Sequence, residues 1–505
     1  MEKLYFKVSR DPIYSEIFLY PLEIVIADTP LVQRLRYLSQ LAGAEYVYPS
    51  ATHTRFSHSL GVMHISGLYA KKLFENNHQK TRILRLAGLL HDLGHGPYSH
   101  QFDDVIYKRM GLSDGHDEYR KKILNTKLID QAYDVYNKLN DPRTKKDFLK
   151  DLSLTLNKDI KDDETDIKNG LKEVMNMINE LFEAENTGGS PEFNIVQGPL
   201  GADRLDFVLR DSYYAGTRDF GTGDLDRIIR NASIQNVNGK EKLCYNIKII
   251  DNIYTVLFAR FMMYKNVYFH KTSRAADQMI QEILRLADDI LDLQSRVKDL
   301  DKFISLTDQR IINEIEIVYE QLYGKENDEL FNISPELMQK ADKVARAHEL
   351  VKRLKTRDLW KLLIEIPFST TGLDPSVISV SVAENVLKQL KENIEKAINS
   401  DISKEDKQEL SYILDNFDRL FIIDTPYKLA LMHPKEFLST DVSILDYNGS
   451  VLRFDEVFEK YPAHKFMESN LIQISRIYLT EDKREILKRL DLIPKVGGIN
   501  ITTRW

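Results

Sequence analysis

Apolar residues recur at helical spacing over most of this chain. Between residues 29 and 42, TPLVQRLRYLSQLA, the positions Leu31, Leu35, Leu38 and Leu41 share one face, Thr29 suits an N-cap and Pro30 the first helical position, so a helix is predicted there. SHSLGVMHISGLYAKKLF (57–74) and TRILRLAGLLHD (81–92) predict two more helices, the second stopped by Gly94, Gly96 and Pro97. His91 and Asp92 therefore fall at a helix's C-terminal end. Residues 117–190 read as a charged helical insertion, with NKDIKDDETDIKNG as a solvated run and NTGGSP (186–191) as a loop. Helical spacing returns in PLGADRLDFVLRDSYYA (199–215) through Leu205, Val208 and Leu209, and 251–292 reads as one or two long helices. Two Asn-Gly pairs, Asn238-Gly239 and Asn448-Gly449, sit between strand-like runs and predict hairpins, so the C-terminal portion should carry a small sheet. The expected organisation is mainly α: a helical unit over 1–290 and a C-terminal helical or α+β lobe over 291–505.

Composition narrows the function classes. The chain has 505 residues, 43% hydrophobic and 29% charged, with 22 Gly and 15 Pro, which is the make-up of a globular protein with ample core. A net charge of −7 argues against a surface built throughout to hold nucleic acid, though a local basic pocket stays open. Cys244, the single cysteine, can form neither an intrachain disulfide nor a cysteine zinc module, so a reducing cytoplasm is the expected location. MEKLYFKVSRDPIYSEIF carries charge too early for a signal peptide, and no apolar run approaches the ~18 residues of a membrane span.

Histidine supplies the functional signal. Of 12 in the chain, seven (His53, His58, His64, His78, His91, His95 and His100) lie between residues 51 and 100, and His116 follows. Neighbours on a helix point about 100° apart, so His91 and Asp92 can meet one ion only beyond the helix end, which the glycine break after Asp92 permits. His58 from the preceding helix and a carboxylate from a distant one would complete an imidazole and carboxylate site suited to Fe, Mn, Ni, Zn or another divalent ion such as Mg.

RFSHSLGVMH (55–64), LLHDLGHGPYSH (89–100) and GADRLDFVLRD (201–211) closely resemble the signatures of the HD superfamily of metal-dependent phosphohydrolases, within it the deoxynucleoside triphosphate triphosphohydrolase branch. The likeness is strong over about residues 7–290, including the segment at 7–49, and continues weakly beyond. It implies an all-helical HD-domain core with a C-terminal α+β lobe, and a single divalent ion held by His58, His91, Asp92 and Asp203. It further implies that His95, His100, His116 and Asp103 bind the α-phosphate or serve in acid–base work, whereas His64 and His78 are expected to be structural.

In the same family pattern Arg55, Arg204 and Arg260 match phosphate-gripping positions, and Gln40, Phe207, Asp211 and Tyr268 match residues around sugar and base. Arg204 stands where the animal branch has lysine and Phe207 where it has tyrosine. Lys7, Asp28, Gln33 and Arg36 match a guanine-reading effector site, which implies GTP or dGTP as a regulator and a homo-oligomer, dimer or tetramer. The leading expectation is hydrolysis of a dNTP to deoxynucleoside and inorganic triphosphate. Its rivals are a broader phosphatase or phosphodiesterase using the same metal site, and a nucleotide-sensing or nucleic-acid-binding module whose HD site is structural.

Overall fold

The computed structural model describes residues 6–187, 189–221, 224–324, 335–369, 375–425, 442–461 and 472–495. Its first element is an antiparallel hairpin, β1 (Lys7–Asp11) and β2 (Ser15–Leu19), in register from Lys7↔Leu19 to Asp11↔Ser15. The two-residue alternation sends Ile17 and Leu19 into the core and leaves Val8 and Phe18 outside. Asp11 closes the turn: its Oδ1 accepts from the backbone N–H of Ile13 (2.8 Å) and Tyr14 (3.1 Å), while Oδ2 faces Arg210 at 2.8 Å.

The helices that matter most for function form as the spacing predicts. The helix Arg55–Leu73 carries His58 and lies against the helix His78–Leu90, which ends at His91, and against the helix Ala202–Tyr214, which carries Asp203. The predicted helix over 29–42 is a correction. Only Pro30–Gln33 is α-helical, a 3-10 turn covers Arg34–Tyr37, and the chain is extended at Leu38. Tertiary hydrogen bonds displace the helical ones: Ser39 N–H donates to Asp308 Oδ2 (2.8 Å), Gln40 N–H to the His53 carbonyl (3.1 Å), and Leu38 O accepts from Arg55 N–H (3.1 Å). Leu31, Leu35 and Leu38 are buried as their spacing requires, but by an irregular segment.

The stretch 117–190 is more than a solvated appendage. Its helices Gly115–Asn125, Lys127–Asn137, Pro142–Leu156 and Glu164–Glu183 put Ile123, Leu128, Phe148, Leu152, Val174 and Ile178 into the same core cluster as the functional helices. The run 157–170 itself is mostly exposed, apart from Ile160, Ile167 and Gly170. Downstream, Ile250–Met263 and Lys271–Leu291 are two helices joined by a π-helical turn at Tyr264–Tyr268, which turns tyrosines towards the functional cleft.

Both hairpins form. β3 (Ala232–Val237) and β4 (Lys240–Asn246) are linked by Asn238 and Gly239, each at positive φ (54° and 81°), as a two-residue primed turn requires. Among the described residues five further strands follow, β5 (Lys361–Ser369), β6 (Ile422–Asp424), β7 (Ser443–Leu445), β8 (Val451–Arg453) and β9 (Ile472–Leu479). The second hairpin, β7 with β8, docks β7 parallel to β4 to give the order β3-β4-β7-β8, and β5-β9-β6 form a separate antiparallel sheet. That sheet and the helices Pro375–Ile398 and Lys404–Asp415 share a second hydrophobic cluster, including Ile366, Leu390, Leu410, Ile413 and Ile477. Among the described residues no helix is long and apolar enough to cross a membrane.

A buried ion network ties the first helix, Pro21–Ala27, to its neighbours. Glu23 takes Arg85 on both carboxylate oxygens (2.6 and 2.9 Å) and Arg82 at 2.8 Å, and Asp151 takes Arg82 (3.0 Å), His78 (2.9 Å) and the Leu22 N–H (3.0 Å). Burial pushes the Glu23 carboxyl up, but Arg85 and Arg82 overcome it and hold the group at about 2. Because the folded value is depressed, this contribution is complete above the ordinary value of 4.5 and is lost as pH falls towards about 2. Glu23→Gln would leave two buried guanidiniums short of charge, with an expected cost of about 3–5 kcal/mol. Urea unfolding measures it: the variant should show a lower midpoint, and the wild type should lose its advantage over the variant as pH falls through that window.

Candidate active site

Four side chains from three helices converge where the helix His78–Leu90 stops. His91 is that helix's C-cap, and the following turns, Leu93 N–H to Leu90 O (3.2 Å) and His95 N–H to Asp92 O (3.1 Å), swing Asp92 around to face the same point. Gly94 permits the turn, since a Cβ there would stand 1.9 Å from the His116 carbonyl oxygen. His91 Nε2 lies 3.2 Å from Asp92 Oδ1 and 3.6 Å from Asp203 Oδ1, and His58 Nε2 lies 3.1 Å from Asp203 Oδ1 and 3.8 Å from Asp92 Oδ2.

These residues fit a divalent ion. Ligands at about 2.1 Å from one ion stand about 3–4 Å from each other; one atom each of His58, His91 and Asp203 lies within 4.8 Å of the others, and Asp92 turns one oxygen to each histidine. Each imidazole is held with its other nitrogen occupied: His91 Nδ1 donates to the Gly88 carbonyl (2.8 Å) and His58 Nδ1 to Asp206 Oδ2 (2.8 Å), which leaves both Nε2 lone pairs directed at the centre. His91 Nε2 is buried with no hydrogen-bond partner among the described residues. Charge agrees. Burial disfavours protonation of His58, yet Asp203, Asp206 and Asp92 raise it to about 10, so this cluster of carboxylates demands positive charge. Burial likewise opposes ionisation of Asp92, but Arg55 and His91 hold its carboxyl well below the usual range.

His95, Asp103 and His116 form a second group, beside the first. Asp103 Oδ2 stands 3.2, 3.3 and 3.1 Å from Nδ1 of His95, His100 and His116. The three offer one ligand atom each within 4.8 Å of one another, but the His95 and His116 rings stack at 4.1 Å with 11° between planes, an arrangement ill suited to both imidazoles meeting one ion in their ring planes. What the arrangement does is split protonation. Burial, Arg55 and His116 push His95 down to about 4, whereas His116, although burial opposes it, is raised by Asp103. His100 is largely exposed, with its side chain 70% accessible.

A cleft of about 300 Å³ joins this chemistry to apolar wall residues that include Leu41, Ala42, Ala44, Phe207 and Phe269. Gln40, Arg55, His58, His91, Asp92, His95, His100, His116, Asp203, Phe207, Asp211 and Tyr268 all line it. Arg55 is fixed by Asp92 (NH1 to Oδ2, 2.5 Å) and by Ser99 Oγ (2.6 Å). Asp211 is held between His53 Nε2 (2.8 Å) and the Tyr268 hydroxyl, which donates to it at 2.6 Å. Asp103 lies behind the histidines. Arg204 and Arg260 are half-buried and are not part of the cleft wall as described; Arg260 sits over the ring of Tyr264, which is.

Lys7, Asp28, Gln33 and Arg36 are on the outer surface, away from the cleft. Lys7 pairs loosely with Asp28 (3.7 Å), Gln33 donates to the Ala27 carbonyl (2.7 Å), and Arg36 donates to Gln33 Oε1 (2.7 Å) and covers Phe56 at 3.7 Å. His64 packs against Tyr14 with the rings tilted by 33°, and His78 Nε2 lies 2.9 Å from Asp151 Oδ1; neither lines the cleft. Sequence reading passed over Ser99, His53, Asp206 and Arg210. Ser99 and His53 carry no local pattern, but Asp206 and Arg210 stand at helical i, i+4 spacing three and seven residues after Asp203, which marks them as facing partners.

Residues 55–186 match the family described as HD domain, and residues 224–406 the family described as HD associated region. The chain is similar to the deoxynucleoside triphosphate triphosphohydrolase SAMHD1 of Danio rerio, 27% identical over 394 residues, covering 73% of this chain and 57% of that protein. It is similar to its Homo sapiens counterpart at 27% over 383 residues, 71% and 55% of the two chains. An uncharacterized protein of Methanocaldococcus jannaschii is 33% identical over 312 residues, 62% of this chain and 55% of the other. The chain thus spans little more than half the length of these relatives. Among solved structures, a hypothetical protein from Aquifex aeolicus shares the fold, with a TM-score of 0.58 at 22% identity over 96% of this chain and 100% of that one.

Asp92→Asn and Asp203→Asn keep shape and remove charge, so each should lose bound metal while the fold persists, its core being built elsewhere. Plasma emission spectrometry on purified protein reads this directly; stoichiometric metal in both variants would mean the ligand set is wrong.

Proposed function

We propose that this chain, which belongs to the HD-domain superfamily of phosphohydrolases, is a metal-dependent dNTP triphosphohydrolase that releases deoxynucleoside and inorganic triphosphate. One observation carries the reading: the candidate metal ligands, the stacked His95–His116 pair, the Asp211–Tyr268 pair and the apolar side chains Leu41, Phe207 and Phe269 all line a single cleft. The named relatives from Danio rerio and Homo sapiens support the same substrate class.

A divalent ion bound by His58, His91, Asp92 and Asp203 would lower the pKa of a coordinated water and polarise a phosphoryl oxygen. The chain's own residues do the rest. Arg55, locked by Asp92 and Ser99, offers a pre-oriented guanidinium to a substrate that carries up to four negative charges. Cleavage at the α-phosphorus expels a 5′-alkoxide that needs a proton as the bond breaks. His116, whose pKa Asp103 raises above the ordinary imidazole value, is suited to donate it, and His95, pushed down to about 4 by burial, is suited to accept hydrogen bonds. Ala42, Ala44, Phe207, Phe269 and the tyrosines at 264 and 268 form walls against which a base can stack, while Asp211 accepts from a sugar hydroxyl. Gln40 lines the same end, and Arg204 and Arg260 add positive charge near the phosphates.

The outer cluster is read as an effector site. Asp28 can accept from N1–H and the 2-amino group of guanine and Arg36 can donate to O6 and N7, a pattern adenine cannot satisfy. GTP or dGTP there would favour a larger, more active homo-oligomer by binding that state more tightly.

Product analysis tests the reading. Incubation with each dNTP and Mn, Mg, Fe or Ni should give equimolar deoxynucleoside and tripolyphosphate on chromatography; stepwise orthophosphate would point instead to a broader phosphatase. His116→Ala should slow turnover by about 10²-fold or more with substrate affinity changed far less. It should also abolish the fall in rate that the wild type shows as pH rises through the raised His116 value, because only the protonated acid is active. For the effector site, dATP hydrolysis and sedimentation should both rise with GTP in the wild type and stay flat in Asp28→Ala and Arg36→Ala.

A further inference from the structure

The metal-ligating His58 is the end of a buried chain of charges that reaches the N-terminal hairpin. Its Nδ1 meets Asp206 Oδ2 at 2.8 Å. Asp206 is fully buried and takes Arg210 on both oxygens, Nε to Oδ2 at 2.8 Å and NH2 to Oδ1 at 3.0 Å, as well as the Tyr14 hydroxyl on Oδ1 at 2.7 Å. Arg210, also fully buried, extends its remaining NH1 to Asp11 Oδ2 at 2.8 Å. Asp11 and Tyr14 bracket the turn between β1 and β2, and Asp11 builds that turn with its other oxygen. The hairpin therefore supplies two of the groups that fix the orientation and charge of Asp206.

The helix carrying His58 is shaped for this contact. Gly61 lies one turn beyond His58, and a Cβ at that position would stand 1.8 Å from Asp206 Oδ1 and 2.5 Å from Arg210 NH2. A glycine inside a helix costs about 1 kcal/mol relative to alanine. Here it is what lets the carboxylate and guanidinium lie against bare helix backbone. Asp11, Tyr14, Gly61, Asp206 and Arg210 do not themselves line the cleft and reach it only through His58, so packing against substrate does not account for them.

We infer that Asp206, Arg210 and Asp11 are positioning residues for His58, and that seating of the hairpin and binding of a divalent ion are thermodynamically linked through them. The inference rests on the metal centre described above. Asp206 orients the His58 ring and keeps Nε2 as the bare nitrogen; Arg210 holds Asp206 in place and balances its charge; Asp11 holds Arg210. Withdrawing Asp11 leaves Arg210 half-paired in a dry interior, which draws Asp206 away from His58 and weakens the ligand. Linkage is reciprocal, so an ion at His58 must in turn hold the hairpin down.

The probe is Mn(II), with the unbound ion read by electron paramagnetic resonance during titration of the full chain. The wild type should take up one ion. Asp206→Asn and Asp11→Asn should bind it 10- to 100-fold more weakly, the range typical for loss of an outer partner of a metal-bound histidine. Arg10→Ala, on the same hairpin but exposed and paired with Glu16 at 3.1 Å, should bind as the wild type does. A second measurement needs no variant: amide exchange across residues 7–19 of the wild type should slow when Mn(II) is added. A wild type that binds no ion overturns the metal-centre reading and the linkage with it. A wild type that binds, together with an Asp11→Asn chain of equal affinity or with hairpin exchange indifferent to the ion, overturns the linkage alone.

Discussion

Burying carboxylates is the constraint on which the rest of this structure depends. Asp92, Asp203 and Asp206 meet between three helices, where an ionised carboxylate without a partner would cost several kcal/mol. Each is answered. Asp92 has Arg55, Asp206 has Arg210, and Asp203 faces His58 and His91. The two arginines are nearly fully buried themselves, so each pair stands or falls together. What the protein's own cations leave over is a negative centre with two imidazole lone pairs directed into it, which is the description of a divalent-cation site. The helices that bring these groups together are thereby committed to one relative arrangement.

The cleft inherits its precision from the same economy of charge. Ser99 and Tyr98 both sit at positive φ (57° and 60°), an uncommon pair for residues other than glycine, and they stay there because neighbours hold them. Tyr98 N–H donates to Asp308 Oδ1 (2.7 Å), Ser99 Oγ accepts from Arg55 (2.6 Å) and donates to the Ser39 carbonyl (2.6 Å). Asp308 comes from the first turn of the helix Asp308–Tyr323, beyond the matched HD domain, and its other oxygen accepts from Ser39 N–H. One carboxylate from a later segment thus clamps two loops that line the cleft, and Arg55 is aimed as a result.

Much of this was legible in the sequence, and the boundary of legibility is physical. Candidate ligands His58, His91 and Asp92, with His95 and His100, stand out because they are packed into short motifs, RFSHSLG and LLHDLGHGPYSH, whose helix ends and glycine break can be read locally, whereas Asp203, Asp103 and His116 are pointed to only by the family resemblance. Helical periodicity was right for Arg55–Leu73 and Ala202–Tyr214, where burial and backbone agree. It overran at 29–42 because leucine spacing reports burial, not which acceptor the backbone finds, and there Asp308 and His53 win. Asp206 and Arg210 look in sequence like an ordinary i, i+4 pair on a helix; only the fold brings Asp11, Tyr14 and Gly61 around them.

We propose that this centre, with His116 beside it, directs water to the α-phosphorus of a nucleotide. Hydrolysis of dGTP in water enriched in oxygen-18, with products separated and weighed by mass spectrometry, tests that claim most directly. One labelled oxygen in the tripolyphosphate and none in the deoxynucleoside is the predicted result. Label appearing in orthophosphate alongside a nucleoside diphosphate, or in the deoxynucleoside itself, would place the attack at another atom and contradict it.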